Sequence, residues 1–258
     1  MERAALTDYV CCVCLCLALA EQRTAGAQTM SFPSLSNAPQ AASRQELDDL
    51  GFIYEANSSR GCIEAAKDFL LKYEKSEFAE FARAAAMRSY VDLDNWDEAN
   101  RMAESILATN PSNVDGLTTL AYLLIDSDHE SEATIARAKR LATLAVQELQ
   151  RKTIPRFATG SQWILTKKSF LALATFVLGW SAYREGEATD ALRLIEKAIA
   201  LDPQGEYLYR LSLLNESAGD LDSALRAAKQ AQQIGPAKIG RLALRQIALI
   251  QKMQKAKP

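Results

Sequence analysis

Four residue pairs recur after one fixed interval: Gly186 and Gly219, Ala191 and Ala224, Ala198 and Ala231, and Pro203 and Pro236 each stand 33 residues apart. A period of this length marks a supersecondary unit that cannot bury its apolar face alone and must stack on copies of itself. Each residue also has a local job. The glycines suit a left-handed turn at a helix end, the alanines keep a second helix thin, and the prolines stop it. From Gln45 onward, apolar residues return at i, i+3, i+4 and i+7 in blocks of 12 to 20, separated by short Gly, Asp, Asn or Pro signals. That spacing is helical, and nothing alternates like a strand.

Composition narrows the function classes. The 258 residues hold 30 basic and 32 acidic side chains, and this balance lacks the basic surface that a nucleic-acid binder needs to neutralise phosphates. A single histidine, His129, excludes two-histidine zinc motifs. The acidic run Asp126, Asp128, Glu130 and Glu132 fails as a calcium loop, because Ser131 and Arg137 occupy the places that require Gly and Glu. These carboxylates read instead as first-turn charges facing the positive end of the next helix. There is no Gly-x-Ser-x-Gly elbow, no phosphate-cradling glycine loop and no Cys-x-x-Cys pair beyond the cysteine run at residues 11–16. The reading therefore assigns no catalytic residue, no metal ligand and no cofactor.

Cys11, Cys12, Cys14 and Cys16 crowd an apolar run from Tyr9 to Ala20, followed by small-residue sites ending at Ala20 and Ala27. This is the pattern of a secretory signal peptide over residues 1–27, cleaved after one of those alanines. Twelve apolar residues fall short of the roughly 20 that span a bilayer. The expected mature form has no transmembrane helix and lies in the periplasm or outside the cell. It keeps Cys62 alone, read as a small apolar filler at a helix start. Residues 28–43, mixing Ser, Pro, Asn and Ala, read as a flexible linker before a helical domain over 44–258.

The text Leu178-Gly179, Gly186, Ala191, Ile195, Ala198 and Pro203 resembles the tetratricopeptide repeat, although Thr175 and Ala182 stand where the family carries Trp and Tyr. Leu47, Leu50, Gly51 and Tyr54 repeat the first half of that pattern. Phe69-Leu70-Leu71-Lys72-Tyr73 is similar to a phrase of exported bacterial repeat proteins, with Glu74 in place of its proline. Tyr90, Trp96, Ala99 and Pro111 mark a further unit, and Asn95 with Glu98 suggests a capping box.

The resemblance implies an all-α fold: an α-solenoid of about five helix pairs (roughly 44–76, 77–112, 113–151, 161–203 and 204–236). A solvating helix closes it from about 237 to 255. The best repeats are 172–204 and 205–237. An irregular segment, 150–160, interrupts the stack between two long helices and suggests an extended hairpin tip.

Such repeats imply a concave surface built from the first helix of each pair, to which a partner polypeptide binds. The resemblance puts Leu173, Phe176, Trp180, Tyr183 and Arg184 on its inward row, with Phe52, Phe81, Arg88, Tyr122 and Tyr209 from neighbouring units. Aromatics and arginine suit peptide recognition. The stripe Phe176, Trp180 and Tyr183 equally reads as packing, but Thr175, Leu178, Gly179 and Ala182 supply a second packing face. The expected role is a non-catalytic scaffold, with a structural or assembly part in a bacterial cell-envelope complex as the alternative.

Overall fold

The computed structural model describes residues 39–126, 131–151 and 160–256. The expected signal peptide, most of the linker, the centre of the irregular segment, and Asp128, His129 and Glu130 lie outside the described residues. The described residues form eleven helices and no strand: α1 (Arg44–Glu55), α2 (Ser59–Lys72), α3 (Ala79–Asp92), α4 (Trp96–Thr109), α5 (Val114–Ile125), α6 (Glu132–Gln150), α7 (Gly160–Arg184), α8 (Ala188–Leu201), α9 (Gly205–Ser217), α10 (Leu221–Ile234) and α11 (Ala237–Ala256). Five helix pairs and a final helix follow one another, which is the all-α construction of a solenoid. Most of these helices have 12 to 14 residues, whereas α6 has 19 and α7 has 25.

Three helix-to-helix turns share one backbone pattern. At the end of α3, Asp94 N–H donates to Val91 and Asn95 N–H to Tyr90. At the end of α7, Gly186 donates to Tyr183 and Glu187 to Ala182. At the end of α9, Gly219 donates to Glu216 and Asp220 to Asn215. Such paired bonds absorb the orphan carbonyls of a helix end and require one left-handed residue. Gly186 and Gly219 adopt φ of 84° and 80°, and Asp94 takes the same slot at φ 55°. Aspartate is among the few side chains that tolerate this region. The α3–α4 turn is thus the same device without its glycine.

Of the side-chain caps that open these helices, the sequence predicts only the one at Asn95. The side chains of Ser43, Ser58, Asn95 and Asp220 accept backbone N–H groups at their helix starts. The capping box at Asn95 is only half made. Asn95 accepts from Glu98 N–H, but its own N–H serves the preceding turn, and the Glu98 carboxylate pairs with Arg101 instead.

The described residues divide into two compact units, one of those up to Leu123 with those of 147–167, the other of those in 124–146 with those of 168–258. In the first, α1 packs on α2 and α3, and α3 on α2 and α4. Its core gathers Leu50, Ile53, Ile63, Phe69, Phe81 and Tyr90, and the half-buried Cys62 packs against them. In the second, α9 packs on α8, α10 and α11, and α10 on α11. Alanines 224, 228 and 231 bring α10 close to its neighbours. Gly179 does the same between α7 and α8, where a Cβ would lie 2.8 Å from the Ile195 Cγ1 atom.

The Lys-Tyr end of the Phe69-Leu70-Leu71-Lys72-Tyr73 phrase has a structural explanation. Phe69 is buried, and Lys72 Nζ and Tyr73 Oη both donate to Asp49 on α1, at 3.1 and 3.0 Å. With Gln45 Nε2 donating at 2.9 Å, these bonds hold the Asp49 carboxyl below the usual carboxylate range, the Gln45 bond contributing most and Lys72 next. A lowered native pKa stabilises the fold above the ordinary carboxylate range, and that stability is lost as pH falls through the lowered value. Asp49→Asn is therefore expected to flatten the acid limb of the stability curve, lowering Tm from neutral pH up to pH 9 while converging with wild type near pH 2. Thermal melts from pH 2 to 9 measure this, and an unchanged acid limb would count against the assignment.

Candidate partner-binding site

The residues of the expected row fall into both units. In the first unit, Phe52 on α1 is 59% exposed, whereas Phe81 on α3 is buried in the core. Arg88 of α3 is ion-paired to Asp115 of α5. Tyr122 on α5 is half-buried, its ring 6.1 Å from that of Trp96 on α4. Of these four, only Phe52 presents a largely open side chain.

In the second unit, α7 carries Leu173, Phe176, Trp180, Tyr183 and Arg184, and α9 carries Tyr209. Phe176 is buried and stacked on Tyr207 of α9, with ring centroids 4.4 Å apart. Trp180 is 4% exposed. Phe81, Phe176 and Trp180 are thus core residues, a correction to the row as a set of accessible contacts. A helical aromatic stripe and a groove row have the same spacing, and burial alone separates them. Leu173 and Tyr209 are half-buried, and Tyr209 packs against Leu208, Ala231 and Ile239.

Trp180 nevertheless anchors a polar cluster. The Tyr183 ring lies 4.8 Å from it, the Arg184 guanidinium 5.5 Å from its centroid and the Arg210 guanidinium 4.5 Å. Cations over an indole face are attracted by its quadrupole, more strongly as water is removed. Arg210, on α9, is fixed from two further directions: its Nε donates to Glu206 at 2.7 Å, and its guanidinium pairs with Asp126 at the end of α5. Two carboxylates and an indole immobilise one arginine, and that arginine covers the tryptophan. The Trp180 Nε1 and Ser181 Oγ atoms are buried with no hydrogen-bond partner among the described residues. Tyr183 is half-buried and Arg184 is exposed, so these two form the accessible edge of the cluster.

Arg210, Glu206, Tyr207 and Asp126 escape a reading by repeat spacing. The Glu206 and Arg210 spacing of i, i+4 is a legible local signal. The pairing of Asp126 with Arg210 across 84 positions is not, and it replaces the first-turn role expected of Asp126. Glu132 does occupy the first turn of α6. No group of three or more metal-ligating side chains occurs among the described residues, and no helix there is long and apolar enough to cross a membrane.

This geometry defines a class first: an all-α protein of stacked helix pairs with an aromatic and arginine cluster on its first helices. Residues 176–239 match the tetratricopeptide repeat family model, and these residues include Trp180, Tyr183, Arg184 and Arg210. Among solved structures, the chain is similar to TTC0263, a tetratricopeptide-repeat protein of Thermus thermophilus, at 17% identity and a TM-score of 0.55, covering 79% of this chain and 97% of that one. It is similar to PilW, a type IV pilus biogenesis factor, at 16% identity and a TM-score of 0.53, covering 84% and 94%. It also resembles Acl4, the assembly chaperone of RpL4, at 14% identity and a TM-score of 0.53, covering 83% and 86%. At these identities the likeness is one of fold. No curated protein matches the chain in sequence.

Proposed function

We propose that the protein is a non-catalytic scaffold that binds a segment of another polypeptide on the first-helix face of its second unit. The carrying observation is the Trp180 cluster. Arg210, held by Asp126 and Glu206, backs the indole, and Tyr183 and Arg184 present a ring and a guanidinium at its open edge. Pre-positioned aromatic and arginine side chains bind at low ordering cost and recur as the energetic centres of protein interfaces. Export through the signal at 1–27 and work in the cell envelope complete the reading.

A photo-crosslinking residue placed at Tyr183 is expected to trap a specific partner in cells, while the same residue at Lys197, on the exposed face of α8, traps none. With that partner in hand, Tyr183→Ala combined with Arg184→Ala should weaken binding at least tenfold with little change in Tm, because both side chains lie at the accessible edge. Equal trapping from both positions would overturn the site. N-terminal sequencing of the protein from cells tests export, which requires a start at Glu21 or Gln28.

A further inference from the structure

The terminal helix of a repeat stack ordinarily turns a polar face to water. Helix α11 does not. Its inner side packs Ile239, Ala243 and Ile250 on α9 and α10. Gln246 donates to Glu216 of α9 and Gln254 to Asp222 of α10, the latter at 2.8 Å, so the rotation of the helix is set. The expected solvating surface is instead mixed: Leu244 is 50% exposed and Leu249 47%, with Met253 also exposed. The helix carries five basic residues and no acidic one, in a chain with 30 basic and 32 acidic residues.

The arrangement matters more than the count. At about 100° per residue, Arg241, Lys252 and Arg245 fall within an arc of about 40° at the centre of the outer face. Leu244 and Ala248 flank that column on one side, Leu249 and Met253 on the other. Among the described residues, Arg241, Arg245 and Lys252 make no ion pair. A lipid-embedded helix needs the reverse order, with an apolar centre and cations on the shoulders. A second copy of the same face would set like charges against each other.

We propose that the outer face of α11 docks an acidic amphipathic helix of a partner protein. Carboxylates of that helix meet the central cation column, and its apolar residues cover Leu244 and Leu249. Charge complementarity chooses the partner's sign, and the two leucine shoulders fix its lateral position. This surface is separate from the Trp180 cluster, so Tyr183→Ala leaves its binding unchanged.

The test uses the full chain and a fluorescent 18-residue peptide with glutamates in one helical column and leucines on both sides of it. A scrambled peptide of equal composition serves as the control, alongside vesicles of phosphatidylserine and phosphatidylcholine. Saturable binding to the patterned peptide is expected, at least tenfold tighter than to the scramble and weakening with salt. Arg241→Glu with Arg245→Glu and Lys252→Glu should abolish it. Leu244→Ser with Leu249→Ser should weaken it at least threefold, both with unchanged helical circular dichroism. If the charge reversal perturbs the helix, glutamine at the same three positions replaces it. Equal affinity for the two peptides, variants that bind like wild type, adsorption to anionic vesicles without peptide preference, or self-association that blocks the peptide would each overturn the proposal.

Discussion

Gly205→Ala is expected to be among the most damaging single-methyl additions in this chain. Gly205 opens α9 directly against the turn between α10 and α11, and an ideal Cβ there would sit 2.2 Å from Gly235 Cα and 2.8 Å from Gly235 N. Both neighbours are backbone atoms, so no side-chain rotation relieves the overlap. Overpacked core positions cost typically about 1–3 kcal/mol and occasionally more. Here the adjustment must come from the turn that carries α11, so the upper end applies, against a total domain stability of about 5–15 kcal/mol. Differential scanning calorimetry should show a Tm lowered by several degrees, and hydrogen exchange should show protection lost in α9, α10 and α11 together. Gly240→Ala is the control: its Cβ would meet nothing closer than Gln232 O at 3.8 Å, and alanine favours the helix interior. That variant should be as stable as wild type or more so. If the two variants behave alike, the close approach at Gly205 is not what holds this end of the molecule.

Phe176→Ala is expected to cost about 3–5 kcal/mol, the range for removing a fully buried ring. Phe176 is essentially inaccessible and stacks at 21° on Tyr207, whose own burial pushes its phenol well above the usual range. Chemical denaturation of Phe176→Ala, Tyr207→Ala and the double variant should reveal a coupling of about 0.5–1.5 kcal/mol between the two rings. Tyr183→Ala, three residues beyond Trp180 and only half-buried, should cost much less stability while weakening partner binding. The contrast separates packing from recognition on one helix. A Phe176→Ala cost under about 1 kcal/mol would mean that α7 does not bury the ring as its geometry requires.

The comparison of these two residues shows how far the site was legible. Phe176, Trp180 and Tyr183 share a spacing that serves a core and a groove equally well, and the repeat resemblance put all three on the inward row. Burial divides them: two pack, and one is left at an accessible edge. Arg184 keeps its expected exposure, and Arg88 is occupied by Asp115. Arg210 became part of the cluster only because the fold brings Asp126 and Trp180 to it. Spacing along a chain carries no information about a contact across 84 residues.

Periodicity determined the all-α class, the pairing of helices and several of their ends, because these depend on interactions within a few residues: an apolar repeat of about 3.6 residues, a capping side chain, a glycine in a left-handed turn. Even there, Asp94 in the glycine slot and the half-made cap at Asn95 depend on which neighbouring donor takes which acceptor. Tertiary structure alone decided which aromatics are buried, which arginine is fixed over Trp180, and which face of α11 turns its cations and leucines outward. Those outcomes depend on the rotation of each helix against its neighbours. That rotation is fixed by close contacts such as Gly205 on Gly235 and Gln254 on Asp222, which no local pattern encodes.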